Sequence, residues 1–131
     1  MRKVIFCAKI FNTDFWVYGY YFAQPSLNCH YIISGDIQWN VDPNTVGEWT
    51  GAFDKNHERI FEGDLCRITA GNTALTGTIQ MRGGAFVLSA KRVIYTFSDI
   101  IAGHFDIEVI GDRIANQAKV LFSTDSGRRL K

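Results

Sequence analysis

Residues 15 to 22 read Phe-Trp-Val-Tyr-Gly-Tyr-Tyr-Phe, and that run constrains the fold more than any other stretch of the chain. Apart from Gly19, every member is aromatic or β-branched, the composition of an extended strand. In a strand, Phe15, Val17, Gly19 and Tyr21 point one way, and Trp16, Tyr18, Tyr20 and Phe22 point the other. Neither side is polar, so each needs a cover from this chain or from another. We expect a core on one side and a subunit contact on the other.

The segment before it supplies a hairpin partner. Val4, Phe6, Ala8 and Ile10 alternate with Lys3, Ile5, Cys7 and Lys9, so residues 3–11 are expected to form a half-buried strand. Asn12, Thr13 and Asp14 carry turn chemistry between the two. After a connection containing Pro25 and Ser26, residues 29–34 are expected as a third strand. Gly35-Asp36 is a tight turn into a fourth strand over residues 37–40. Asp42-Pro43-Asn44 is a loop, because proline holds its own φ and pushes Asp42 to an extended backbone.

The chain divides around Thr50 to Arg67. Asp54-Lys55-Asn56-His57 is expected as a turn capped by Asp54, with Asn56 or His57 in a left-handed conformation. Glu62-Gly63-Asp64 makes a sharp bend, expected to be exposed, into a strand over residues 65–69. Here the residues resemble a family, the YopX-like proteins of phages and prophages. Its hallmark is similar to YTG-x-x-DKNG-x-x-I-(Y/F)-EGD. This chain has Trp49-Thr50-Gly51, Asp54-Lys55-Asn56, Ile60-Phe61 and Glu62-Gly63-Asp64 at that spacing. A late (F/Y)-x-(I/V)-EVIGN pattern resembles Phe105 to Asp112, and Ile5-Phe6-Cys7-Ala8 resembles the opening. His57, Asp112 and Gln117 stand where the pattern has Gly, Asn and Pro. The resemblance implies a β-rich fold in two parts, a phage or prophage origin and self-association, with no known enzyme activity.

The second half can be read from its own residues. Leu75, Gly77, Ile79 and Met81 alternate with Thr76, Thr78, Gln80 and Arg82, and Gly83-Gly84 follows as a two-residue hairpin loop. That loop sets Arg82 opposite Ala85, Met81 opposite Phe86 and Ile79 opposite Leu88, so Ile79, Met81, Phe86 and Leu88 share one apolar face. Gly77 is expected at a bend. Residues 92–97 are another strand; Ser98 is expected to cap a helical turn that Gly103 ends. Residues 105–111 are the last strand, with Phe105, Ile107 and Val109 on one face.

The fold expected is mainly β, with N-terminal antiparallel strands (residues 1–50) packed on a C-terminal SH3-like small barrel (residues 51–112). A short helix capped by Asp112 and a tail complete it (residues 113–131), with Ile114, Ala118 and Leu121 as the helix stripe.

Chemistry-bearing motifs are few. Nothing matches GxxxxGK[ST], GxGxxG or GxSxG, so no cofactor is expected. The three cysteines, Cys7, Cys29 and Cys66, form no CxxC pair and are expected as reduced thiols in a cytoplasmic protein. Cys29 and His30 are strand neighbours on opposite faces, which argues against a shared metal ion. Asp54, His57, Glu58, Glu62 and Asp64 form an acid cluster that could do proton transfer, but a structural role in the turn and bend is the expectation. The motif residues Gly51, Asp54, Lys55, Asn56, Glu62, Gly63 and Asp64 are read in the same way.

A net charge of +1 gives no pull toward a polyanion, and no apolar run is long enough to span a bilayer. With 14% aromatic residues, broad flat contacts are favoured. The candidate interaction surface is Trp16, Tyr18, Tyr20, Trp39 and Trp49, and Trp39 and Trp49 with Tyr18, Tyr20 and Tyr21 could line an aromatic groove for a peptide. We therefore expect a non-enzymatic, self-associating accessory protein that meets a phage or host protein. The alternative is a nucleic-acid-binding protein stacking bases on Trp16, Tyr18 and Tyr20, helped by basic residues such as Lys3 and Lys9.

Overall fold

The alternating segment near the start forms β1, Phe6–Lys9, and returns as β2, Trp16–Gln24. Thr13 closes the turn: its hydroxyl donates to the Ile10 carbonyl at 2.9 Å and accepts the Phe15 N–H at 3.1 Å, with Asn12 at φ +62° beside it. β1 is shorter than its alternation because its ends serve other strands. The Ile5 carbonyl accepts from Trp49, and Ile10 bridges to Val41. These coordinates are a computed structural model, which describes residues 4–112.

β3 (Cys29–Ser34) and β4 (Ile37–Asn40) form the next hairpin around Gly35, at φ +62°. Asp42 is extended, with φ −78° and ψ 116°, as the following proline requires. β5 (Gly47–Phe53) and β6 (Arg59–Phe61) complete a sheet of order β4-β3-β2-β1-β5-β6.

That sheet curls. Laid flat, β4 and β1 would sit about 14 Å apart, three strand spacings. Yet Phe11 donates to the Asn40 carbonyl and Asp42 to the Lys9 carbonyl, each at 2.9 Å. Inside the curl Ala8, Ile32 and Val41 are buried, with Phe6, Val17, Tyr21, Trp39 and Val46 packed around them. Within β2 the pairing changes hands at Gly19. The residues from Trp16 to Gly19 pair with β1 and those from Tyr20 to Gln24 with β3. A Cβ at Gly19 would lie 2.1 Å from the Ile33 carbonyl oxygen.

The second sheet contains β7 (Asp64–Ala70), β8 (Thr73–Arg82), β9 (Ala85–Ser89), β10 (Ile94–Thr96) and β11 (Asp106–Asp112). Its order is β10-β9-β8-β7-β11, with the helix α1 (Phe97–Ala102) between β10 and β11. The protein is thus mainly β, two antiparallel sheets and one short helix among the described residues. The Gly83-Gly84 hairpin has the expected pairing, and both glycines have positive φ, +59° and +84°. Flat, β10 and β11 would be about 19 Å apart. The Tyr95 and Phe105 rings meet at 5.7 Å, so this sheet curls as well. Ile60, Cys66, Ile68, Ile79, Leu88 and Ile100 make its core, and Phe105, Ile107 and Val109 pack on it from one face.

Several local expectations change. α1 is capped by Thr96, not Ser98: the Thr96 hydroxyl accepts from Asp99 N–H, and the Asp99 carboxylate accepts from Thr96 N–H. Gly103 ends the helix at φ −86°, and the left-handed residue is His104. At Gly77, expected at a bend, the backbones approach closely: a Cβ there would stand 2.5 Å from the Ser89 carbonyl oxygen. Met81 lies at the exposed end of its apolar face. The expected helix at 113–122 and the tail fall outside the described residues.

A candidate interaction surface

The two sides of β2 meet different fates. Val17 and Tyr21 face into the curl; Trp16, Tyr18, Tyr20 and Phe22 face out. The outward side is itself graded. Tyr18 is half-buried against Phe61, ring centroids 5.6 Å apart, and Trp16 is half-buried with Lys9 Nζ 6.0 Å from its ring. Beyond Gly19 the cover ends: Tyr20 is 65% exposed and Phe22 43%.

β3 supplies the other half of the surface. Tyr20 pairs with Ile33 and Phe22 with Tyr31, so the four side chains form one block on the outer face. The Phe22 and Tyr31 rings stack at 6.1 Å, and Ile33 is 37% exposed. Gln38 of β4 sits beside Ile33, and Asn40 beside Tyr31. The outward residues of these three strands beyond Gly19 carry no charge, and the sequence has 27 Asp, Glu, Lys and Arg residues to place. A groove of about 260 Å³ borders the block, lined by Ile5, Tyr18, Tyr20, Ile33, Gly35 and Arg59.

The other expected members lie elsewhere. Trp39 packs inside the curl, on the opposite face from Tyr20, and cannot line a groove with it. Its strand alternates in register with β3, where Trp39 pairs with the buried Ile32. Trp49 is held by its indole N–H bond to the Ala52 carbonyl at 2.9 Å, by Phe53, and by the Arg59 guanidinium 4.8 Å above its ring. Phe22, Tyr31 and Ile33 replace these two. The four-residue connection after β2 does not fix the β2–β3 register as a two-residue loop would, so these partners were not readable in advance.

Two members of the acid cluster, Asp54 and Asp64, serve the backbone. Asp54 is buried, and its carboxylate takes three backbone N–H groups: Asn56 and Glu58 on Oδ1, Val109 on Oδ2. His57 occupies the left-handed position at φ +65°, on the exposed turn. Asp64 was expected at an exposed bend; it is fully buried, and its Oδ2 accepts the Phe61 N–H at 2.8 Å. Gly63, at φ +95°, donates to the Ile79 carbonyl, and Glu62 donates to the Glu48 carbonyl. Gly51 also has positive φ, +91°. Lys55 donates its N–H to Ile107, and its amine lies 3.8 Å from Glu108. The hallmark residues thus tie the two sheets together through backbone bonds.

His30 and Cys29 also go separate ways. Tyr21 Oη and His30 Nδ1 are 2.6 Å apart inside the curl, and Cys29 Sγ donates to the Leu27 carbonyl at 3.4 Å. Among the described residues no group of three His, Cys, Asp or Glu side chains is placed to hold a metal ion, and no helix is long and apolar enough to cross a membrane.

One protein-family model, described as YopX protein, matches residues 8–116. No curated protein and no solved structure matches the chain.

Proposed function

The chain belongs to the YopX protein family, and on that premise we propose that it works by binding, as a self-associating, cytoplasmic interaction module of a phage or prophage. The observation that carries this reading is the uncharged block on the outer face of the first sheet, in which Tyr20, Phe22 and Ile33 are exposed around a half-buried Tyr31. Contiguous apolar surface of this kind favours a protein partner, because water must be displaced from it for little polar return. Two carboxylates of the acid cluster, Asp54 and Asp64, accept backbone N–H groups, which supports a structural role for them.

The test is the solution mass by light scattering across a range of concentrations. Wild type is expected to contain two or more protomers; a monomer at every concentration overturns self-association. In a Tyr20→Ser, Phe22→Ser double variant, a lower mass places the block between copies. An unchanged mass leaves it for the phage or host protein.

A second reading is nucleic-acid binding, for which the same rings are a stacking platform and Arg59 is the charged residue at the groove. Binding of a single-stranded oligonucleotide that weakens steeply with salt would favour it.

A further inference from the structure

On the outer side of the first sheet, a covered part and an exposed part meet along a line. Cys7 pairs with both Tyr18 and Gly47, so the three share that side. The chain around Phe61 and Glu62 folds over them. The Tyr18 and Phe61 rings lie 5.6 Å apart, and a Cβ at Gly47 would stand 2.4 Å from the Glu62 carbonyl oxygen. Cys7 is buried as a result. Past Gly19 this cover stops, and Tyr20, Phe22 and Ile33 stand exposed.

β11 ends beside that line. Its last residue, Asp112, pairs with Asp64, whose carboxylate accepts the Phe61 N–H at 2.8 Å. In the sequence that follows, Ile114, Ala118 and Leu121 recur at helical spacing, and Phe122 adds a ring. The two charges among residues 113–122, Arg113 and Lys119, fall away from that stripe. Ten residues span about 15 Å even as a helix, and Tyr20 lies only about 7 Å along β2 from Tyr18. Charge favours the same meeting. Residues 113–131 hold five basic residues and one acidic, whereas residues 4–112 hold seven basic and twelve acidic.

We propose that residues 113–122 seat on the outer block of their own chain, as a cover that a second molecule displaces; this rests on the block being the binding surface argued above. Ile114, Ala118 and Leu121 supply the apolar side that Tyr20, Phe22 and Ile33 call for, and the uncharged block leaves no ion to desolvate beneath them. A tethered segment acts at an effective concentration on the order of millimolar. Even a weak contact then holds the block for much of the time. The segment thereby sets the concentration at which copies of the chain, or another protein, reach that face.

Two measurements on the full chain test the cover. A nitroxide is attached at Ser123→Cys, made together with Cys29→Ser, since the remaining thiols Cys7 and Cys66 are buried. Its paramagnetic broadening is expected on the amide signals of Tyr20, Phe22, Tyr31 and Ile33, while α1, at the opposite end of β11, stays sharp. Broadening that is even over both sheets, or absent from the block, overturns the cover. So does broadening of the block in isotope-enriched chains that carry no label but are mixed with labelled ones, because the segment then sits on another copy. In the second measurement, Leu121→Ser with Phe122→Ser frees the block. The concentration of half-association, read by light scattering, then falls about tenfold if the segment holds the block nine-tenths of the time. Unchanged or weaker association overturns the competition. If wild type and variant are both monomeric at every concentration, self-association fails, and the broadening pattern alone decides the cover.

Discussion

Asp54 Oδ2 accepts the backbone N–H of Val109 at 2.9 Å, across 55 residues of chain. The same carboxylate holds its own turn through Asn56 and Glu58, and the neighbouring Lys55 N–H bonds the Ile107 carbonyl. The two stretches that stand out in the sequence, around Asp54-Lys55-Asn56 and Glu108-Val109-Ile110-Gly111, therefore meet in space. Val109 also begins the bulge in β11, so the Asp54 oxygen holds the strand at the point where its pairing with β7 shifts register.

Asp54 is buried, and removing its carboxylate leaves three part-buried backbone donors without their acceptor. Asp54→Ala is expected to lower the unfolding free energy by about 3 kcal/mol or more, read by urea denaturation. Asp54→Asn keeps one acceptor oxygen and should lose about 1–2 kcal/mol. A loss below about 1 kcal/mol for the alanine variant would mean that Asp54 is not the tie between the turn and β11.

Gly19 gives a second prediction. Its place in β2 is where pairing passes from β1 to β3, and the Ile33 carbonyl oxygen fills the space where a Cβ would be. Gly19→Ala must push β3 off β2, an overpacking cost of roughly 2–3 kcal/mol. A melting temperature equal to wild type would show that β2 and β3 do not approach so closely.

What the residues disclosed in advance was local. Period-two alternation marks β1 and β8, and Gly83-Gly84 sets the β8–β9 register because a two-residue loop leaves one choice. What remained hidden is decided by distant parts of the chain. Trp39 is inside because the end of β4 returns to β1 at Val41 and Ile10, and nothing within residues 37–40 signals that contact. Asp64 follows a glycine in a polar bend, the pattern of an exposed turn, yet it lies beneath Phe61 and caps its N–H. The outer block was half visible: Tyr20 and Phe22 fall on one side by alternation, but Tyr31 and Ile33 join them only through the β2–β3 register.

The helix cap offers a direct contrast between two readings of one segment. Thr96 and Ser98 are both good N-cap residues, but only Thr96 has an acid three positions on, Asp99, to complete a reciprocal pair. Thr96→Ala is expected to cost about 1 kcal/mol, and Ser98→Ala close to nothing. Equal losses in chemical denaturation would return the cap to Ser98.

Tyr31 carries the last prediction, on the outer face itself. A hydrogen bond with the Cys29 side chain, then charge at Cys29, then burial each raise the Tyr31 phenol above its ordinary value near 10. The fold therefore favours the neutral phenol. The stability this contributes is complete below the unfolded value and fades as pH rises through the higher folded one. In an ultraviolet difference titration, the step missing from Tyr31→Phe should lie on the alkaline side of an ordinary tyrosine. Cys29→Ala should move that step back toward the ordinary range, because the largest of the three causes goes with the thiol. A Tyr31 step that does not respond to Cys29→Ala would show that Cys29 is not what holds the phenol neutral.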